Sequence, residues 1–139
     1  MIRTDAHHRL PKPSVLHLPL FILLWALSSV SVAEFKGQLT AEAALTRLQE
    51  GTITAIDARQ PDEYASGHVP GAINVPHDQI EQYLEKISHL KQQPLLIYCR
   101  SGRRAAMAEQ SLSKLGYSQL YHLQGDMLGW QEQELAVEQ

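Results

Sequence analysis

From Thr40 onward, short apolar runs alternate with stretches whose apolar residues recur at helical spacing. Thr40 is a good N-cap, and Ala41, Ala44, Leu45 and Leu48 share one face of a helix over residues 41–50 that Gly51 ends. Ile53 to Asp57 reads as a strand, and residues 58–68 as a loop with a short helix opened by Pro61. Val69-Pro70-Gly71 is a turn, Ile73 to Val75 a short strand. Asp78 is placed to cap a helix whose stripe is Ile80, Tyr83, Leu84, Ile87 and Leu90. Leu95 to Tyr98 is apolar and β-prone, a buried strand entered from Pro94. A helix begins near Arg103, with Ala105, Ala108, Leu112 and Leu115 on one face and Gly116 at the C-terminal cap. Leu120 to Leu123 is a further strand, and Gly125 leads into a short helix with Met127, Leu128 and Trp130. Strands alternating with amphipathic helices predict an α/β domain with a mainly parallel sheet. Ligands bind such sheets at the carboxyl ends of the strands, where Cys99 and Asp57 both fall.

The first 33 residues follow a different pattern. Met1 to Ser14 is polar and holds Arg3, Arg9 and Lys12; an apolar stretch runs from Leu16 to Val30, and Ser31-Val32-Ala33 follows. This is the three-part layout of a secretory signal peptide cut after Ala33. The alternative is an anchor that keeps residues 16–33 in the membrane. The apolar run is short for a span, and His17 and Pro19 weaken its start, so cleavage is the favoured expectation. The chain then divides into a leader, residues 1–33, and one domain, residues 34–139. It would be periplasmic or secreted, without stable membrane contact after cleavage.

The whole chain carries 12 Lys and Arg against 15 Asp and Glu. Arg3, Arg9, Lys12 and Asp5 lie in the leader, so residues 34–139 hold 9 basic and 14 acidic side chains, a net charge near −5. Such a balance argues against a nucleic-acid partner. Nothing in the pattern calls for an obligate interface, so a monomer is expected. The one cysteine of the chain cannot form an internal disulfide. The histidines after residue 33 show no HxxxH or HExxH spacing, so no metal site is expected.

Against this acidic background Cys99 stands out. It ends a strand and opens a loop running into a helix N-terminus, where backbone N–H groups and the helix dipole favour negative charge. Arg100, Arg103 and Arg104 add three positive charges within five residues. All of these favour the thiolate over the thiol and attract a small anion. A buried structural cysteine is the plain alternative, but it has no need of three arginines and Gly102 beside it.

Two segments carry a family resemblance. One is Asp57-Ala-Arg59-Gln-Pro-Asp-Glu63-Tyr64-Ala-Ser-Gly67-His68-Val-Pro-Gly71-Ala72-Ile-Asn-Val-Pro76; the other is Tyr98-Cys99-Arg-Ser-Gly102-Arg-Arg104. Together and in this order they resemble the rhodanese family, in particular small single-domain periplasmic thiosulfate sulfurtransferases, over residues 40–130. The resemblance implies an α/β fold with a five-stranded parallel sheet and helices around it. It implies Cys99 as the sulfur carrier, in a six-residue loop completed by Arg100, Ser101, Gly102, Arg103 and Arg104 whose N–H groups cradle a persulfide. Gly102 matches the family glycine, where a side chain would crowd the cradle. Asp57 and Arg59 would lie near the active-site face as supporting residues. His68 is expected in a structural hydrogen bond rather than as a base, and Glu63 in an ion pair with Arg59. Where the family often has Gly-Gly before the last helix, this chain has Gly125-Asp126. Asp126 is expected to cap that helix, and near the site its charge would weaken binding of an anionic donor.

The implied chemistry is transfer of a sulfane sulfur from thiosulfate or a similar donor to cyanide or a thiol, with a thiol-carrying protein as a further acceptor and no cofactor. The arginines would bind the donor, with Arg100 or Arg104 as its anchor. Two rival readings remain. One is a sulfur carrier or binding module dependent on a partner. The other is a cysteine phosphatase or arsenate reductase, but those phosphatases place an arginine six residues after the cysteine, where this chain has Ala105.

Overall fold

Five parallel strands in the order β1-β5-β4-β2-β3 form the sheet of the computed structural model, which describes residues 34–139. In chain order the elements are β1 (Glu34–Leu39), α1 (Ala41–Gln49), β2 (Thr54–Asp57), α2 (Pro61–Ala65), β3 (Ile73–Asn74), α3 (Ile80–Ile87), β4 (Leu95–Tyr98), α4 (Arg103–Lys114), β5 (Gln119–Leu123) and α5 (Asp126–Glu132). The expected leader, its cut after Ala33 and the alternative anchor lie outside the described residues. Among the described residues no helix is long and apolar enough to cross a membrane.

β4 lies at the centre, between β2 and β5, and all four of its residues are buried. This explains its continuous apolar run, because a strand covered on both faces has no polar side to present. Its side chains alternate between two cores. Leu95, Ile97 and Cys99 pack with Ile80, Ile87, Ala105, Ala108 and Leu112 from α3 and α4. Leu96 and Tyr98 pack with Ala41, Ala44, Met127 and Trp130 from α1 and α5.

The predicted helices and strands are present, with ends shifted by a residue or two. Thr40 caps α1, accepting from the Ala43 N–H at 3.2 Å. Asp78 does not cap α3: Gln79 holds the cap position without a side-chain bond, and the Asp78 carboxylate accepts from Gln60 instead. The apolar stripe expected on one helix continues from α3 through a 3₁₀ turn, Ser88–Leu90. β1 is the element that the sequence pattern misses. Its sequence, EFKGQL, holds a glycine and no clean alternation, and its register on β5 is interrupted between Phe35 and Gly37. Backbone pairing along the edge of β5 makes it a strand, rather than its own side chains.

Candidate active site

Cys99 follows β4 directly, and its loop ends where α4 begins at Arg103. Gly102 occupies the N-cap position of α4 with φ of 112°, in the region that favours glycine. In that conformation its N–H donates to Cys99 Sγ at 3.0 Å. Cys99 is 1% exposed, yet its sulfur is met by a backbone donor rather than by apolar groups alone. Arg100, Ser101 and Arg103 are exposed on the outer side of the loop.

The first turn of α5 holds the loop from beneath. The Met127 and Leu128 N–H groups donate to the carbonyls of Cys99 and Arg100 at 3.0 and 3.2 Å. These are helix-start donors with no partner inside their own helix, so the loop satisfies them. Asp126 completes the attachment, its Oδ1 accepting from the Cys99 N–H at 2.9 Å. Asp126 therefore does not cap α5, as its position suggested; Gly125 stands at the cap and the carboxylate turns to the loop. Gly125 and Asp126 have consecutive positive φ values of 83° and 53°. A Gly-Gly pair suits that backbone, and aspartate is among the few other residues that tolerate it.

Behind Asp126 lies a contact that no motif announces. Its Oδ2 bonds His122 Nε2 at 3.0 Å, and Glu109 Oε1 bonds His122 Nδ1 at 2.6 Å. The hydrogen bonds to Asp126 and then Glu109 push His122 up to about 10, so it is an imidazolium at neutral pH. A raised value means that the stability it contributes is fully present below about pH 6.5 and is lost as pH rises through about 10. Denaturant unfolding at pH 7 and pH 10 should therefore show a larger alkaline loss for the native chain than for His122→Gln. Equal losses would refute the linkage.

Arg104 turns back from α4 to Glu63 on α2. Its Nη1 and Nη2 donate to the two Glu63 oxygens at 2.5 and 2.8 Å. The expected pairing of Glu63 with Arg59 is thus corrected: Glu63 takes Arg104, because Arg59 is already committed elsewhere. The hydrogen bond from Arg104 holds the Glu63 carboxyl down to about 2. Arg104 is pulled above its ordinary value, first by Glu63 and in smaller part by the Cys99 sulfur. A depressed carboxyl contributes stability above its ordinary value of 4.5, lost as pH falls toward 2. Glu63→Gln should flatten the acid limb of a stability–pH curve in that window, and an unaltered limb would show the pair to be inert. Arg104 thus ties the loop to α2 while its guanidinium also interacts with the Cys99 sulfur. Arg100 and Arg103 have no carboxylate partner among the described residues, so they are the loop's uncompensated positive charges.

Asp57 and Arg59 form a buried brace with Tyr98 at the ends of β2 and β4, and His68 lies beside it with partners of its own. Asp57 receives the Arg59 Nη2 at 2.6 Å and the Tyr98 O–H at 2.8 Å. Arg59 also donates to the Gly67 carbonyl at 2.8 Å, and the Val69 N–H donates to the Tyr98 oxygen at 3.0 Å. The brace thus fixes Tyr98, the residue before Cys99. His68 stacks on Tyr64 with ring centroids 3.7 Å apart, and its Nδ1 bonds the Tyr64 carbonyl at 2.9 Å. Those contacts are structural.

The rhodanese-like domain family model matches residues 40–133. Among curated proteins, the chain is 37% identical over 75 residues to protein YqhL of Bacillus subtilis, covering 54% of this chain and 58% of that one. It is 27% identical over 93 residues to the thiosulfate sulfurtransferase GlpE of Tolumonas auensis, covering 67% of this chain and 86% of the relative. Among solved structures, the thiosulfate sulfurtransferase from Pseudomonas aeruginosa superposes with a TM-score of 0.65 at 24% identity, over 73% of this chain and 20% of that one. The last likeness speaks for the fold. The match spans little more than half of the Bacillus protein and a fifth of the Pseudomonas one. The matched region takes in the Asp57–Arg59 brace, the Cys99 loop and the helix that holds it, so the chain belongs to the rhodanese-like domain family.

Proposed function

We propose that the protein is a sulfurtransferase that carries a sulfane sulfur as a persulfide on Cys99, taking it from thiosulfate or a similar anionic donor. The Cys99 thiolate attacks the outer sulfur of thiosulfate. A sulfur–sulfur bond forms to Cys99, the original one breaks, and its electron pair leaves with sulfite. Cyanide or a thiol then attacks the terminal sulfur, and the electron pair returns to Cys99 as thiolate. The observation that carries this reading is the Gly102 N–H aimed at Sγ from 3.0 Å, in a loop whose free arginines are Arg100 and Arg103. Donors preorganised around the sulfur stabilise its anionic forms, and free guanidinium groups suit a doubly charged donor and its sulfite leaving group. Ser101 and Arg104 would complete the donor-binding loop, Asp57 and Arg59 would support it through the brace, and His68 would do so through its contacts with Tyr64. The GlpE relative, a thiosulfate sulfurtransferase by name, supports the same reading.

Incubation with thiosulfate and cyanide should yield thiocyanate from the native chain and none from Cys99→Ser. A folded native chain with a reduced Cys99 that yields none would refute the thiosulfate reading. The basic start, apolar run and Ser31-Val32-Ala33 exit further support export, with cleavage after Ala33. Expression of the full chain in a Gram-negative host should release a periplasmic product beginning at Glu34. A product retained in the membrane with residue 1 intact would establish the anchor instead.

A further inference from the structure

Asp126 places a carboxylate directly under a nucleophile that must meet an anion. Its Oδ1 holds the Cys99 N–H at 2.9 Å, and a Cβ on Gly102 would lie 3.1 Å from its Oδ2. Left alone, that charge would repel a thiosulfate ion and disfavour the thiolate. The structure supplies a counterpart in His122, whose Nε2 lies 3.0 Å from Asp126 Oδ2. Its side chain is 12% exposed and that of Asp126 5%. Glu109 on α4 fixes the other ring nitrogen, so both nitrogens face carboxylates and both must donate. The charged groups facing the ring are Glu109 from α4 and Asp126 from α5; its register neighbours on β1 and β4, Gln38 and Ile97, do not ionise.

We propose that His122 is a positioning residue for the Cys99 loop: as a cation it neutralises Asp126, so that this carboxylate can hold the Cys99 N–H without making the loop repel an anionic donor. Glu109 keeps the ring oriented and doubly bonded. The inference rests on Cys99 being the reacting nucleophile, and it deepens that reading by naming what sets the potential at the sulfur. The raised proton affinity of His122 agrees with it.

The test compares alkylation of Cys99 by iodoacetate, an anion, and by neutral iodoacetamide. Both react with the thiolate, so the ratio of their rates cancels the thiolate fraction and reports the local potential. His122→Gln should lower the iodoacetate-to-iodoacetamide ratio about five- to tenfold, because Asp126 is then uncompensated. Asp126→Asn keeps an acceptor for the Cys99 N–H but loses the charge, and should raise the ratio by a similar factor. The double variant should return to within about twofold of the native ratio, since one charge of each sign is gone. A merely structural histidine would leave the double variant as impaired as His122→Gln. An unchanged ratio in His122→Gln, or a double variant as low as the single one, would overturn the proposal while leaving sulfur transfer intact. Should His122→Gln fail to fold, an Asp126→Asn ratio equal to the native one would overturn it equally. If neither reagent reaches Cys99 in the folded native chain while both alkylate the unfolded chain, the nucleophile is not presented, and both this proposal and the functional reading fall.

Discussion

Asp57→Ala is expected to cost about 3–5 kcal/mol of unfolding free energy, the range seen when one partner of a buried ion pair is removed. Asp57 is fully buried and Arg59 is 5% exposed. The aspartate accepts from the Arg59 backbone N–H at 2.9 Å, from Arg59 Nε and Nη2, and from the Tyr98 hydroxyl. Without it the guanidinium keeps the Gly67 carbonyl as its remaining acceptor, and the Tyr98 O–H loses its acceptor. The cost is that of a stranded buried charge, so Asp57→Ala with Arg59→Leu should be less damaging than Asp57→Ala alone. Guanidinium unfolding of the native chain and of the two variants checks this. A loss under about 1 kcal/mol for Asp57→Ala would class the pair with solvated surface ion pairs and remove the brace from the account.

Gly102→Ala is expected to lower kcat/KM for sulfur transfer by about 10²–10³-fold, the effect of losing one preorganised backbone donor from an anion-stabilising site. Two observations converge on this residue. Its φ of 112° is a conformation that side chains rarely adopt, and the new Cβ would stand 3.1 Å from Asp126 Oδ2 and 3.7 Å from His122 Nε2. Asp126 cannot simply withdraw, because its other oxygen holds the Cys99 N–H. The loop must shift, and with it the N–H that donates to Sγ. Steady-state kinetics beside a denaturation curve separates the two consequences. A variant with native kcat/KM would overturn the expectation that the added Cβ displaces this N–H at a cost to the chemistry, whatever its stability.

Local pattern made much of this molecule legible. The apolar stripes of α1, α3 and α4 and the run of β4 are properties of neighbouring residues, and each element forms where its periodicity lies. The Cys99 loop was legible for the same reason, since strand, cysteine, glycine and helix start are contiguous. β1 escaped notice because an edge strand with a glycine and a register break has little periodicity of its own. Asp78 and Asp126 both sit where a cap is expected from local sequence. Each gave its carboxylate to a distant donor instead, Gln60 in one case and Cys99 in the other.

The wiring of the site belongs to the tertiary structure. Glu63 and Arg104 are 41 residues apart, and Cys99 and Asp126 are 27 apart. Arg59 was a reasonable partner for Glu63 by proximity in the chain, but Asp57, two residues away and fully buried, takes it. His122 is in sequence one polar residue in a strand, and only the approach of α4 and α5 encloses it between two carboxylates. The α/β order of elements and the one cysteine with its arginines can be read from neighbouring residues, because periodicity and loop chemistry are local. Which charges remain free to meet a donor was decided by packing, because an ion pair depends on distance in space, and side chains remote in sequence reach one another only once the sheet has set their positions.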